Sequence, residues 1–228
     1  MMIMKWVATA AAAALALSLP ATSAQAAEVG PAAVPQVVPI GVAVSALQLA
    51  TEDRTGYQRT SFKHWNSGAN ASDGCNTRME VLIAEAVQAP EVGPGCTLTG
   101  GAWWSYYDGV LTNEARAFDI DHMVPLAEAW DSGASAWTPA RREAYANDQG
   151  QPASLVAVTA RSNRSKSDQD PAEWLPPSGS SEVLCRYGAE WTATKLRWGL
   201  AVDELERDRL LDIAAGCGGT DVEFTPAP

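Results

Sequence analysis

Four cysteines, Cys75, Cys96, Cys185 and Cys217, constrain this chain more than any other feature, because all of them lie downstream of an apolar leader. Lys5 precedes an apolar stretch over residues 6–19, which ends at Pro20 and gives way to small residues closing with Ala24-Gln25-Ala26. That order of charge, apolar core and small residues describes a secretory signal peptide over residues 1–26. An uncleaved membrane anchor is the alternative, but the apolar core is about 14 residues long against the roughly 20 needed to cross a bilayer. After export, an even cysteine count in an oxidising compartment favours two bridges. Three pairings are open. Cys75–Cys96 with Cys185–Cys217 is favoured on proximity, since each pair would clip the ends of one predicted helical segment. Zinc binding is the rival, and no C-x-x-C or neighbouring histidine supports it.

Residues 27–46 are rich in Ala, Val and Pro with one charge, Glu28, and are expected to form an extended spacer. The folded domain is then expected over residues 47–217, long enough for one sizeable core. Residues 218–228 read as a loose acidic tail. The formal net charge is −11, and Lys5 is the one charged residue of the leader, so export leaves the rest more acidic still. A strongly acidic chain is a poor non-specific polyanion binder. That weighs against a nucleic-acid partner unless local charge at a site departs from the net.

Hydrophobic periodicity places the elements. Thr77, with Glu80 three places on, opens the run Met79, Val81, Leu82, Ile83 and Ala86, which predicts a capping-box helix over residues 77–88. Trp103-Trp104-Ser105-Tyr106-Tyr107 before Asp108-Gly109 predicts a strand and a hairpin turn. Its aromatic rings suit core packing more often than base stacking. Ala117-Phe118-Asp119-Ile120-Asp121 alternates apolar and polar residues and runs into His122-Met123-Val124-Pro125, with proline tolerated in a first helical turn. Helices are expected over residues 126–130 and over 139–146, the latter capped by Thr138, with a buried strand over 155–158. Further helices are expected over residues 182–200 and from Asp203, boxed by Glu206, to Gly216. The whole reads as a single α+β domain.

Only two histidines are present, His64 and His122. His122 follows Asp121, and a carboxylate beside an imidazole supplies a hard oxygen ligand for a divalent cation together with a base. Taken alone, a D-H pair is more often a structurally paired histidine. A second segment changes the balance: after the strand at 155–158, Asn163 stands among Arg161, Arg164 and Lys166. Asn offers a neutral carbonyl oxygen to a metal, and the basic residues offer phosphate partners. Asp119 is either a partner that orients this site or a plain polar strand residue.

Asp119-Ile120-Asp121-His122-Met123-Val124-Pro125-Leu126 and, some forty residues later, Asn163-Arg164-Ser165-Lys166-Ser167-Asp168 together resemble the HNH nuclease signature. The resemblance is closest to secreted HNH endonuclease-like proteins of actinobacteria, related to the C-terminal nuclease domain of modification-dependent restriction enzymes. It extends through Phe62-Lys63-His64-Trp65, Asp73-Gly74-Cys75-Asn76-Thr77-Arg78, Ala129-Trp130-Asp131-Ser132-Gly133 and Asp168-Gln169-Asp170-Pro171-Ala172-Glu173-Trp174. It implies a ββα-metal (HNH) core with surrounding helices. It further implies His122 as general base, Asp121 and Asn163 as ligands of Mg²⁺ or Mn²⁺, and Lys166 or Arg164, with Arg161 nearby, at the substrate phosphate. The middle position of the H-N-H pattern falls near Ser154, where Asn is usual, and Ser is expected to hold the loop through its hydroxyl. Residues 66–73 stand where relatives carry an Asp-rich calcium-type loop, and most of its acids are missing here. The expected function is a secreted metal-dependent endonuclease acting on nucleic acid, DNA before RNA, with no membrane association after signal cleavage. The alternative is a secreted binding module on the same scaffold that no longer cuts, which the acidic charge and Ser154 favour. A serine hydrolase lacks its G-x-S-x-G.

Overall fold

The computed structural model describes residues 1–2 and 34–228. Apart from its first two residues, the expected signal peptide lies outside the described residues, as does the first part of the spacer. In chain order the elements are β1 (Gln36–Pro39), α1 (Ile40–Ala46), α2 (Thr77–Ala84), β2 (Ala86–Gln88), β3 (Glu91–Gly93), β4 (Thr97–Thr99), β5 (Ala102–Ser105), β6 (Val110–Thr112), β7 (Phe118–His122), α3 (Leu126–Asp131), α4 (Pro139–Ala146), β8 (Leu155–Thr159), α5 (Ala160–Lys166), α6 (Ser181–Trp198), α7 (Glu204–Ala215) and β9 (Asp221–Phe224). The fold is α+β, tied by Cys75–Cys96 and Cys185–Cys217, the pairing favoured on proximity. Among the described residues no helix is long and apolar enough to cross a membrane.

Antiparallel pairing of β7 with β8 sets the centre, with Ile120 opposite Ala157 and His122 opposite Leu155. Side chains alternate between the two faces of a strand. Phe118, Ile120, Leu155 and Ala157 therefore join Val81, Leu82 and Trp103 in a smaller apolar cluster, while Val156 and Val158 enter the main core with Trp191, Tyr187 and Leu210. α5 follows β8 directly, its Thr159 cap accepting from Ser162 N at 3.3 Å. The β5–β6 hairpin sits beside this start, because Asp108 in its turn accepts from both Thr159 Oγ1 and Ser162 Oγ. Tyr106 and Tyr107 belong to that turn rather than to the strand, which ends at Ser105.

Two boundaries differ from the sequence expectation. Gln36–Ala46 is not spacer: β1 pairs antiparallel with β9, and Ile40, Ala43 and Val44 of α1 are buried in the main core. The expected tail correspondingly contains β9, whose Val222 and Phe224 are buried. Composition suggested a linker because each of these strands finds its partner at the far end of the chain. A smaller difference lies at α2, which ends at Ala84 and is capped by Asn76, whose side chain accepts from Met79 N. Glu80 is thereby released from the expected capping box and instead accepts from Ala69 N and Asn70 N, organising the loop at 66–73.

Candidate active site

Residues two apart on β7 present two carboxylates, Asp119 and Asp121, on the face that α5 covers. α5 answers with residues three apart, which lie on neighbouring turns of one helix face. Asn163 Nδ2 donates to Asp119 Oδ2 at 3.3 Å, and Lys166 Nζ donates to Asp121 Oδ2 at 2.6 Å. Arg164 adds a longer contact to Asp119 at 3.6 Å.

Asp121 is held from two sides, since the Tyr107 hydroxyl also donates to its Oδ2 at 2.7 Å. Lys166 is 0% exposed, and it also donates to the His122 and Met123 carbonyls at 3.0 and 2.9 Å. Burial pushes the Asp121 carboxyl up and the Lys166 ammonium down, while their mutual attraction opposes both shifts. With a second donor on the carboxylate and three acceptors around the ammonium, the ionised pair is the form that this geometry satisfies. Lys166 was expected to meet substrate phosphate. In this structure its ammonium is instead buried and held by Asp121 and the His122 and Met123 carbonyls, and Lys166 does not line the cleft.

His122 is buried, with Trp65 stacked on its ring at 5.0 Å and 9°. Its Nε2 lies 2.9 Å from the Ala146 carbonyl, which can only accept, so Nε2 carries the proton and Nδ1 the lone pair. Burial pushes the imidazole down to about 3, so the ring is neutral near pH 7. A cleft of about 280 Å³ is lined by Arg59, Asp121, His122, Asn163, Arg164 and Asp168, among others. Asp121 Oδ1 and Asn163 Oδ1 make no hydrogen bond among the described residues, leaving one anionic and one neutral hard oxygen at this cleft. That donor set suits a magnesium-like ion that keeps several waters. Arg161 is exposed on α5 and does not line the cleft.

The loop before β8 is braced from behind. Ser154 Oγ donates to Asp148 Oδ2 at 2.7 Å, and the Ser154 carbonyl accepts from Met123 N at 3.0 Å. Asp148 also receives Arg197 through Nε and Nη2 and the Trp198 indole N–H. This hub fixes the 146–154 segment whose first carbonyl sets the His122 tautomer. Asp148, Tyr107, Trp65 and Arg59 were not singled out as site residues from the sequence, although Tyr107 and Trp65 fell in segments noted there. Arg59 carried no local signal.

Clusters of three carboxylates occur away from this cleft: Glu52 with Glu128 and Glu206, and Glu52 with Asp170 and Asp203. In the first, Lys195 already sits 2.8 Å from Glu128 and 2.6 Å from Glu206.

Residues 98–213 match the family described as GmrSD restriction endonucleases, C-terminal domain. An "Uncharacterized secreted protein" of Arthroderma benhamiae (strain ATCC MYA-4681 / CBS 112371) is 40% identical over 162 residues, covering 71% of this chain and 76% of that protein. No solved structure matches. The matched segment contains Asp119, Asp121, His122, Ser154, Asn163 and Lys166, and the chain belongs to the family of the GmrSD restriction endonuclease C-terminal domain.

Proposed function

We propose that this protein is a secreted, metal-dependent endonuclease of the HNH (ββα-metal) type, hydrolysing phosphodiester bonds of nucleic acid, DNA before RNA. The observation that carries this reading is the meeting, in one cleft, of a neutral histidine of fixed tautomer with two free oxygen donors. Family membership supports a nuclease-type activity, and the two disulfides with the secreted relative support an extracellular setting.

Asp121 and Asn163 would hold Mg²⁺ or Mn²⁺, which supplies Lewis-acid polarisation of the phosphate and charge neutralisation at the leaving oxygen. His122 Nδ1 accepts a proton from the attacking water, and the Ala146 carbonyl, already taking Nε2–H, steadies the imidazolium that results. A base held so low alone in its pocket gains proton affinity when an anionic phosphodiester arrives beside it. Trp65 limits the ring to one orientation. Lys166 and Tyr107 hold the Asp121 carboxylate in place and keep it ionised. In-line attack with departure of the 3′ oxygen leaves 5′-phosphate and 3′-hydroxyl ends.

Plasmid cleavage by the oxidised protein, with Mg²⁺, Mn²⁺ or chelator, tests this directly beside His122→Ala. Metal-dependent nicking lost in the folded variant is the expected result. A folded, metal-supplemented protein that cuts neither DNA nor RNA would transfer the assignment to a binding module, the function that the net charge of −11 favours.

A further inference from the structure

Among the described residues, the cleft contains a cation that no carboxylate pairs. Arg164 is paired with Asp119, Lys166 with Asp121, and Arg54 with Asp131 at 2.5 Å and Asp168 at 3.5 Å. Arg59 lines the same cleft as Asp121, His122 and Asn163, is exposed, and has no acidic partner within ion-pair distance among the described residues.

Its placement is built rather than incidental. Arg59 opens a 3-10 turn, Arg59–Ser61, and Phe62 N closes that turn on the Arg59 carbonyl at 3.2 Å. Phe62 is anchored in the core among Tyr57, Trp130 and Tyr145. The Phe62 carbonyl takes the proton on His64 Nδ1 at 2.6 Å, which leaves the lone pair on Nε2. Arg59 Nη2 donates to that lone pair at 3.4 Å. One arm of the guanidinium fork is thus steered by a neutral ring whose ring centre is 5.8 Å from that of His122. A planar fork of five donors suits bidentate recognition of phosphate.

We propose that Arg59 binds a phosphate oxygen of the nucleic-acid substrate beside the scissile bond, and that His64 is its positioning residue. This rests on the nuclease reading above and gives Arg59 the role that the family resemblance implied for Lys166 or Arg164. Both residues precede the segment 98–213 matched by the family, so the N-terminal part of the domain completes the site.

The test has two arms. Binding of a labelled DNA duplex is measured against salt on the non-cleaving His122→Ala background, with and without Arg59→Met. Cleavage kinetics are measured for Arg59→Met, Arg59→Lys, His64→Phe and His64→Gln in the otherwise native protein. Loss of one phosphate contact lowers the slope of log K against log salt by about 0.9. Arg59→Met is expected to show that decrease, weaken binding about tenfold and raise KM. Arg59→Lys is expected to recover the slope but not full cleavage, since an ammonium lacks the fork. His64→Phe should cost part of the Arg59→Met effect and nothing further in the double variant, with His64→Gln, which keeps an acceptor, nearer the native protein. Unchanged slope and affinity in Arg59→Met overturn the assignment of Arg59 while native cleavage persists. A native protein that neither binds nor cuts nucleic acid overturns the nuclease reading and this assignment together.

Discussion

Lys166 Nζ sits 2.6 Å from Asp121 Oδ2 with the lysine wholly inside the protein, so the carboxylate at the cleft is tied from beneath by a buried charge. Removing one member of such a pair leaves the other uncompensated. Lys166→Met is expected to destabilise the fold by about 3–5 kcal/mol and to abolish cleavage. The double variant Asp121→Asn/Lys166→Met should regain most of that stability and none of the activity. Urea unfolding alongside plasmid nicking separates the two effects, and a single variant of native stability would show that the pair is not ionised.

On the proposed reading, Asp119 would act one step removed from the cation. Its contact with Asn163 Nδ2 fixes which amide atom faces the cleft. Groups that orient a metal ligand typically contribute 10–100-fold in metal affinity. Asp119→Ala is therefore expected to raise the Mg²⁺ concentration for half-maximal cleavage by about tenfold, with little change in stability because Asp119 is only partly buried. A metal titration unchanged from the native protein would reduce Asp119 to a polar strand residue.

That Asp121, His122 and Asn163 would come together was legible in the sequence because two segments, each standing where a local pattern changes, jointly resemble one signature, and the three line one cleft. The alternation of β7 ends at His122, and the buried run of β8 gives way to the polar helix that holds Asn163. The destination of Lys166 was not legible. It lies one turn beyond Asn163, and only the docking of α5 on β7 decides that Asn163 opens on the cleft while Lys166 is sealed over Asp121. Tyr107 fell in an aromatic run that suits core packing, and it does pack there while its hydroxyl reaches Asp121. β1 and β9 were missed for a different reason. Val37 pairs with Glu223 across nearly the whole described chain, a contact that local composition cannot reveal.

Stability should fall as pH rises through neutrality. Lys195 is fully buried between Glu128 and Glu206, and Glu52 closes the group, so one ammonium faces three carboxyls. Burial first, and then the charges of Glu128 and Asp203, push Glu52 up to about 8, with Asp170 adding and Lys195 opposing. Burial likewise pushes Glu206 up to about 7. Both values exceed the ordinary 4.5, so between about pH 5 and 8 the native state holds protons that the unfolded chain releases. The stabilisation is fully present below that ordinary value and is lost as pH passes through 7 to 8. Glu52→Gln should flatten the decline and leave the variant more stable than the native protein at pH 8. Urea midpoints at pH 7, 7.5 and 8, above the ordinary histidine value of 6.5 at which unfolded His122 takes up a proton that the buried ring does not, provide the check, and a native protein of constant stability across them would contradict it.

On the proposed HNH reading the middle position of the pattern falls near Ser154, where Asn is usual, which makes Ser154→Asn an obvious attempt at improvement. The structure argues for the opposite outcome. Ser154 is 4% exposed, and its hydroxyl already fills one position on Asp148, beside Arg197 and Trp198. A longer amide must enter a packed site, and overpacking of this kind costs typically about 1–3 kcal/mol. It would also push on the segment whose Ala146 carbonyl holds His122 Nε2–H. Ser154→Asn is thus expected to lower both the urea midpoint and the cleavage rate. Ser154→Ala should lose about 1 kcal/mol through the missing hydrogen bond and keep most activity, because the carbonyl that accepts from Met123 N is retained. Faster cleavage by Ser154→Asn at unchanged stability would mean that the serine limits the site rather than supports it.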